Sequence, residues 1–250
     1  MVDLKSPREI EIIRRSGIIT AQCLEMLKNA VKEGVTTLEL DILAESFIRK
    51  HGGIPAFLGY RGYPKTLCVS INEEVVHGIP SNKRVIKNGD VVGLDMGVIL
   101  DGYYSDSAVT VTVGTISKEK ELLVRITREA LYKGIEQAVK GNRIGDVSAA
   151  IQKHAESHGF SVVRELTGHG VGRSMHEEPM VPNFVERSPG IRLKPGMVFA
   201  IEPMVNIGGF KLELLDDGWT YVTRDRSISA HFEHTIAVTE NGPAILTLPE

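Results

Sequence analysis

The stretch from Asn88 to Gly114, NGDVVGLDMGVILDGYYSDSAVTVTVG, constrains this chain more than any other. Two apolar runs of period two flank Asp101-Gly102, a dipeptide suited to a two-residue hairpin turn. A turn there pairs Leu100 with Tyr103 and fixes every later pair, so Asp106 falls opposite Gly97. Asp95 and Gly97 share a face of the first strand. The two aspartates therefore project from the same side as diagonal neighbours, within reach of a common object. The other face carries Val92, Leu94, Met96, Val98 and Leu100, which is core. Beside Asp95 stand only Gly93 and Gly97, so the carboxylates rise over a floor of small residues. Two buried carboxylates are costly unless a cation lies between them. A partly exposed face that happens to bear two acids is the plainer alternative.

Around the hairpin, one order of elements is read twice. Ser6-Pro7-Arg8-Glu9 has the form of a capping box, and Ile10, Ile13, Gly17, Ala21, Leu24, Leu27 and Val31 follow at helical spacing towards Gly34. Thr36-Thr37-Leu38-Glu39 opens a second helix that carries Leu40, Leu43 and Phe47 inward and stops at Gly52-Gly53. A glycine-rich, aromatic stretch with one strand near Thr66 to Ile71 leads into the hairpin. Beyond it, Ser117 caps a helix bearing Leu122, Ile126, Ala130 and Ile135, and Asp146 starts another that ends at Gly159. IKNGDVVGLDMG from Ile86 and LKPGMVFAIEPM from Leu193 match at an offset of 107 (193 minus 86), which sets Glu202 on Asp95. The second return strand, Ala230 to Thr239, arrives about 20 residues late, after a segment containing LLDDGWT. The expectation is one α+β domain over residues 1–250, duplicated as residues 6–114 and 115–250. Its pseudo-twofold antiparallel sheet lies inside and its helices outside.

Four further places concentrate ligand or proton-transfer side chains. In ELTGHGVG, His169 stands between glycines at the end of a strand from Ser161 to Leu166; the segment lacks the spacing of a phosphate loop. SMHEEP carries His176. In FAIEPM, Glu202 interrupts an apolar strand, and in HFEHT, Glu233 does the same. Asp95, Asp106, Glu202 and Glu233 in apolar settings repel one another strongly without cations. Two divalent ions balance four carboxylates, and such a site generates a nucleophile from water. Four oxygen ligands and one imidazole form a hard set that suits manganese, iron or cobalt at least as well as zinc.

VVHGIP, GLDMG, the Tyr-Ser-Asp-Ser segment, TGHGVG, MHEEP, AIEPM and FEHT together resemble the type I methionine aminopeptidases, in order and spacing, over essentially the whole chain. The resemblance implies the pita-bread fold, with its curved antiparallel sheet covered by helices, and removal of the initiator methionine from nascent proteins. It implies Asp95, Asp106, His169, Glu202 and Glu233 as ligands of two divalent metal ions, with Asp106 and Glu233 bridging and Glu202 also moving a proton. His77 matches the histidine near the scissile amide nitrogen, and His176 the one that contacts the substrate carbonyl. Tyr60, Tyr63, Cys68 and Trp219 match the methionine pocket. Phe57 and Met175 differ from side chains found there in some members, which leaves the pocket's detailed shape open.

Two other readings share the fold. Xaa-Pro dipeptidases and creatinase resemble it but carry a large N-terminal domain, where only a short segment precedes the repeat here. A non-catalytic binding protein of this fold would have lost ligands, and all five stand. The net charge of −3 gives no grip on nucleic acid or on an anionic membrane, which favours small-molecule or peptide partners; the resemblance implies a peptide or nascent-protein N-terminus. Cys23 and Cys68 lack Cys-x-x-Cys spacing and suit a reducing compartment. No apolar run approaches the roughly 18 residues of a membrane span, and residues 1–20 do not read as a signal peptide. A cytoplasmic monomer working near the ribosome is expected.

Overall fold

The computed structural model describes residues 2–249. The hairpin forms as its turn dictates. Val91–Leu100 and Tyr103–Thr112 pair in register from Val91/Thr112 to Leu100/Tyr103, with Gly97 opposite Asp106. Asp101 and Gly102 both have positive φ, 50° and 79°, which is the backbone of a type I′ turn. This hairpin lies in a nine-stranded antiparallel sheet. On one side it pairs with Ile54–Pro55 and Cys68–Ile71; on the other it continues through Glu233–Thr239, Val198–Ile201, Thr167–Gly170 and Glu177–Pro182.

Helices cover one face of the sheet. Helix α1 (Pro7–Ala30) and helix α2 (Thr37–Lys50) start at capping boxes on Ser6 and Thr36, in which Glu9 and Glu39 reach back to the cap backbone. They pack Leu24, Leu27, Leu40, Ala44 and Ile48 against Val92, Leu94, Met96 and Val98 of the hairpin. Helix α3 (Lys118–Gln137) and helix α4 (Ile144–Ser157) bury Ile126, Leu131, Val147 and Ile151 with Phe199, Ile201, Ile236 and Val238. Gly17 of α1 lets the helix touch the last segment of the chain, where a Cβ would collide with the Leu246 carbonyl.

The structure departs from the sequence expectations in several places. Helix α1 stops at Ala30, and Val31 is an extended C-cap. The inward stripe of α2 is Leu40, Ala44 and Ile48, while Leu43 is 42 % exposed, because a period of 3.6 places i, i+4 and i+8 on the side set by Thr37 and Asp41. Helix α4 begins at Ile144, and Asp146 sits in its first turn, its carboxylate accepting the Arg143 N–H. The span Ser161 to Leu166 is a strand only over Ser161–Val162, and the span Ala230 to Thr239 divides at Phe232. Ser229–His231 joins Met204–Asn206 and Ser161–Val162 in a separate small sheet, whereas Glu233–Thr239 stays in the main one. A third sheet joins Leu212–Leu214, Tyr221–Thr223 and Glu74–Val76.

Candidate metal centre and substrate pocket

The uncovered face of the sheet holds the chemistry. Strand alternation places Asp95 and Asp106 there. Glu233 opens the next strand, its residue paired with Ala108, and Glu202 stands immediately past the end of Val198–Ile201. His169 belongs to a strand of its own, beyond the span Ser161 to Leu166 expected to carry it. It lies within Thr167–Gly170, where glycines on both sides allow neighbouring backbones to approach; a Cβ on Gly168 would collide with the Ala200 carbonyl. A bond of 3.0 Å between Nδ1 and the Gly170 carbonyl makes Nδ1 the protonated nitrogen and turns the Nε2 lone pair to the acids. Nε2 is 3.7 Å from Asp106 Oδ2 and 3.6 Å from Glu202 Oε1.

Ligand atoms of Asp106, His169 and Glu233 lie within 4.8 Å of one another. Asp95 Oδ1, Asp106 Oδ1 and Glu233 Oε1 are buried without a hydrogen-bond partner. Burial pushes the Asp95 carboxyl up to about 7. Burial, then the charges of Asp95 and Glu202, raises Asp106 well above its usual range; burial and the Asp95 charge do the same to Glu202, and burial with the charges of Asp106, Glu202 and Asp95 to Glu233. Burial also holds the His169 imidazole down to about 3, hence neutral. Orphaned carboxylate oxygens around a neutral imidazole fit divalent cations, which reverse the repulsion and use the free lone pairs.

A cavity of about 190 Å³ opens beside these groups. Its lining includes all five candidate ligands together with His77, His176, Tyr60, Tyr63, Cys68 and Trp219, so the structure brings every site residue expected from the sequence to one place. Phe57 and Met175 also line it, Met175 reaching the space above Gly97. His77 follows Glu74–Val76 with φ of 61°, a left-handed conformation that is strained for histidine and that aims its ring past Trp219 and Tyr221. Burial lowers His77 to about 4, keeping it neutral. His176 stands at the rim, its Nδ1 2.8 Å from the Tyr60 hydroxyl and its ring centroid 4.1 Å from that of His169. Tyr63 packs edge-on against Trp219 and donates to the carbonyls of Leu67 and Gly78.

Other groups at the site are not evident from motif reading. Thr235 binds both main-chain polar groups of Asp106, and the Asn183 amide donates to the Glu202 carbonyl. His231 is buried, its unpartnered Nε2 4.0 Å from Glu202 Oε2. The sequence signal was present: His231 lies in HFEHT, two residues before Glu233.

The sheet, the carboxylate cluster and the cavity beside it describe a metallopeptidase. Metallopeptidase family M24 matches residues 11–240, and the chain belongs to that family. It is 51 % identical over 248 residues to the methionine aminopeptidase of Clostridium perfringens (strain 13 / Type A), covering 99 % of each chain. The structure superposes with a TM-score of 0.97 on the crystal structure of methionine aminopeptidase from Thermotoga maritima, at 46 % identity and covering 99 % of this chain and 100 % of that one. Prolidase from Pyrococcus furiosus shares the fold at a TM-score of 0.80 and 25 % identity, covering 99 % of this chain and 66 % of that one. The expected pita-bread fold is therefore the observed one.

Proposed function

We propose that this chain is a methionine aminopeptidase that removes the N-terminal, initiator methionine from peptides and nascent proteins by hydrolysis. The observation that carries this reading is the convergence of orphaned buried carboxylate oxygens and the His169 Nε2 on one end of a partly apolar cavity. The identity to methionine aminopeptidases over the full chain supports it. Asp95, Asp106, His169, Glu202 and Glu233 would hold two divalent ions; cobalt, manganese, iron and zinc are the candidates. Those ions would supply Lewis acidity and lower the pKa of water.

The remaining work falls to the chain's own groups. Glu202 takes the proton of the attacking water and delivers it to the leaving amine nitrogen. The neutral His77 imidazole bonds at the scissile amide nitrogen, and His176, oriented by Tyr60, bonds at the substrate carbonyl. Tyr60, Tyr63, Cys68 and Trp219 enclose the methionine side chain. Residues 6–114 and 115–250 act as duplicated halves of one catalytic domain, supported by the way α1–α2 and α3–α4 pack on different parts of the sheet. Nascent chain ends imply work in the cytoplasm near the ribosome, as a monomer. Among the described residues no helix is long and apolar enough to cross a membrane.

Anchoring the free amine at the acids brings the second side chain against the rim that carries His77 and His176. Small second residues are therefore preferred, since overlap with a packed rim costs about 1–3 kcal/mol, roughly tenfold to over a hundredfold in kcat/KM. The test is methionine release from a Met-x-peptide series, with N-acetylated Met-Ala and Xaa-Pro dipeptides alongside. Release is expected from Met-Gly and Met-Ala, with Met-Lys and Met-Phe much slower. Preferred cleavage of the Xaa-Pro dipeptides would favour the prolidase-like reading, and no hydrolysis at all by metal-loaded protein would favour a binding module.

A further inference from the structure

The first residues of the chain reach the loop that carries His176 through a buried ion pair. Lys5 Nζ lies 2.7 Å from Glu177 Oε2 and 2.6 Å from Asp3 Oδ2, and its side chain is 1 % exposed, against 18 % for Glu177 and 65 % for Asp3. Glu177 directly follows His176. Its other oxygen accepts the Ser174 N–H at 3.1 Å, so this carboxylate closes the Ser174–Glu177 loop from inside while Lys5 holds it from below. The Lys5 backbone is itself fixed, its N–H donating to the Gly196 carbonyl at 2.7 Å.

Gly172, the last glycine of TGHGVG, leaves room for this pair; a Cβ there would lie 2.6 Å from both Lys5 Nζ and Glu177 Oε1. Burial alone would depress the Lys5 ammonium, but the hydrogen bonds to Asp3 and Glu177 outweigh it and raise its pKa. The outer ties of the loop are weaker. Arg173 meets Glu9 at 3.3 Å with a side chain 67 % exposed, and exposed pairs of this kind contribute about 0–1 kcal/mol. A buried ion pair responds far more strongly to loss of one partner.

We propose that Lys5 is a positioning residue for the reaction: through Glu177 it sets the height of the Ser174–Glu177 loop and so the reach of the His176 ring to the substrate carbonyl. The proposal rests on the substrate contact assigned to His176 above. Loss of the ammonium leaves Glu177 without its charge partner and lets the loop move, and misplacement of a reacting contact by about 1 Å costs up to a hundredfold in rate.

The experiment measures kcat and KM on a Met-Ala peptide for Lys5→Met, Glu177→Gln, Asp3→Asn, His176→Ala and the Lys5→Met/His176→Ala double variant, with metal content measured for each. Lys5→Met is expected to lower kcat about tenfold with KM within about twofold and metal content unchanged. Glu177→Gln should lower kcat less, because an amide still accepts from Lys5. Asp3→Asn, on the solvent side, should leave kcat unchanged. In the double variant, Lys5→Met should add nothing to the loss from His176→Ala. Trypsin cleavage after Arg173 should also be faster in Lys5→Met, reporting the loosened loop directly. Wild-type kcat in Lys5→Met, or independent losses that multiply in the double variant, would overturn the proposal. Wild-type kinetics in His176→Ala would overturn the role of His176 and the proposal with it. If Lys5→Met does not fold, Glu177→Gln takes its place in the same cycle, with the same two refuting results.

Discussion

Thr235 occupies the point where the metal-facing strands are joined most economically, and replacing it isolates that joint. The backbone ladder between Tyr103–Thr112 and Glu233–Thr239 covers Ala108/Glu233 and Ser107/His234 and goes no further. At the next position the Thr235 hydroxyl accepts the Asp106 N–H at 3.0 Å and donates to the Asp106 carbonyl at 2.8 Å. Both residues are buried, Thr235 completely. Thr235→Val keeps the side-chain shape and strands a buried N–H and C=O. Each stranded group costs about 1–3 kcal/mol, so the pair should cost about 3 kcal/mol once the added methyl is credited. For a chain of this length that lowers Tm by about 6–12 °C. Asp106 is also a candidate ligand, and support of this kind is worth about 10- to 100-fold in metal affinity. Urea unfolding of the metal-free variant should show the midpoint shifted at an unchanged slope, and a metal titration should show the weaker binding. A variant within about 0.5 kcal/mol of wild type, with unaltered metal affinity, would refute the claim that this hydroxyl holds Asp106.

Two further predictions concern protonation and catalysis. Burial moves Asp95 from 3.8 to about 7, so between these values the metal-free folded chain keeps a proton that the unfolded chain has lost. Stability of the metal-free protein should therefore fall as pH rises from about 4 to 7, the reverse of an ion-paired carboxylate, and metal binding near pH 6 should release protons. Unfolding free energies at pH 5 and 7.5, and calorimetry in buffers of different ionisation enthalpy, check both; stability that rises over this window would contradict the assignment. His77→Ala should keep metal content near wild type while lowering kcat about 100-fold or more, because the contact proposed for it is made mainly in the transition state. Loss of metal from that variant, measured by elemental analysis, would mean that His77 is a ligand.

The sequence was most legible where local geometry decides. Asp101-Gly102 admits positive φ at both positions, so the hairpin register, and with it the common face of Asp95 and Asp106, followed residue by residue. The capping boxes at Ser6 and Thr36 were equally local. Legibility fell where a partner distant in sequence decides. The glycines of TGHGVG carry no strand propensity, so the sequence ends the strand at Leu166, yet Thr167–Gly170 is itself a strand, since Gly168 and Gly170 admit the Ala200 and Glu178 backbones. The strand expected from Ala230 to Thr239 divides at Phe232 because His231 pairs with Met204 while His234 pairs with Ile201, in different sheets. Spacing alone points Leu43 inward, yet Ala44 is the neighbour that joins the core under the hairpin while Leu43 faces out. Lys5 carried no signal at all, because its significance depends on Glu177, 172 residues away.

Five side chains on one face of the sheet would hold the two divalent ions that hydrolysis requires. This is tested most directly by stripping the protein with a strong chelator and titrating back manganese or cobalt under exclusion of oxygen. Bound metal and methionine release from Met-Ala peptide are then followed together. No release is expected from the stripped protein, with recovery on titration, two ions bound per chain at saturation, and loss of the paired binding in Glu233→Gln. Full activity in protein shown to be free of metal, or saturation of binding at one ion per chain, would contradict the two-ion centre.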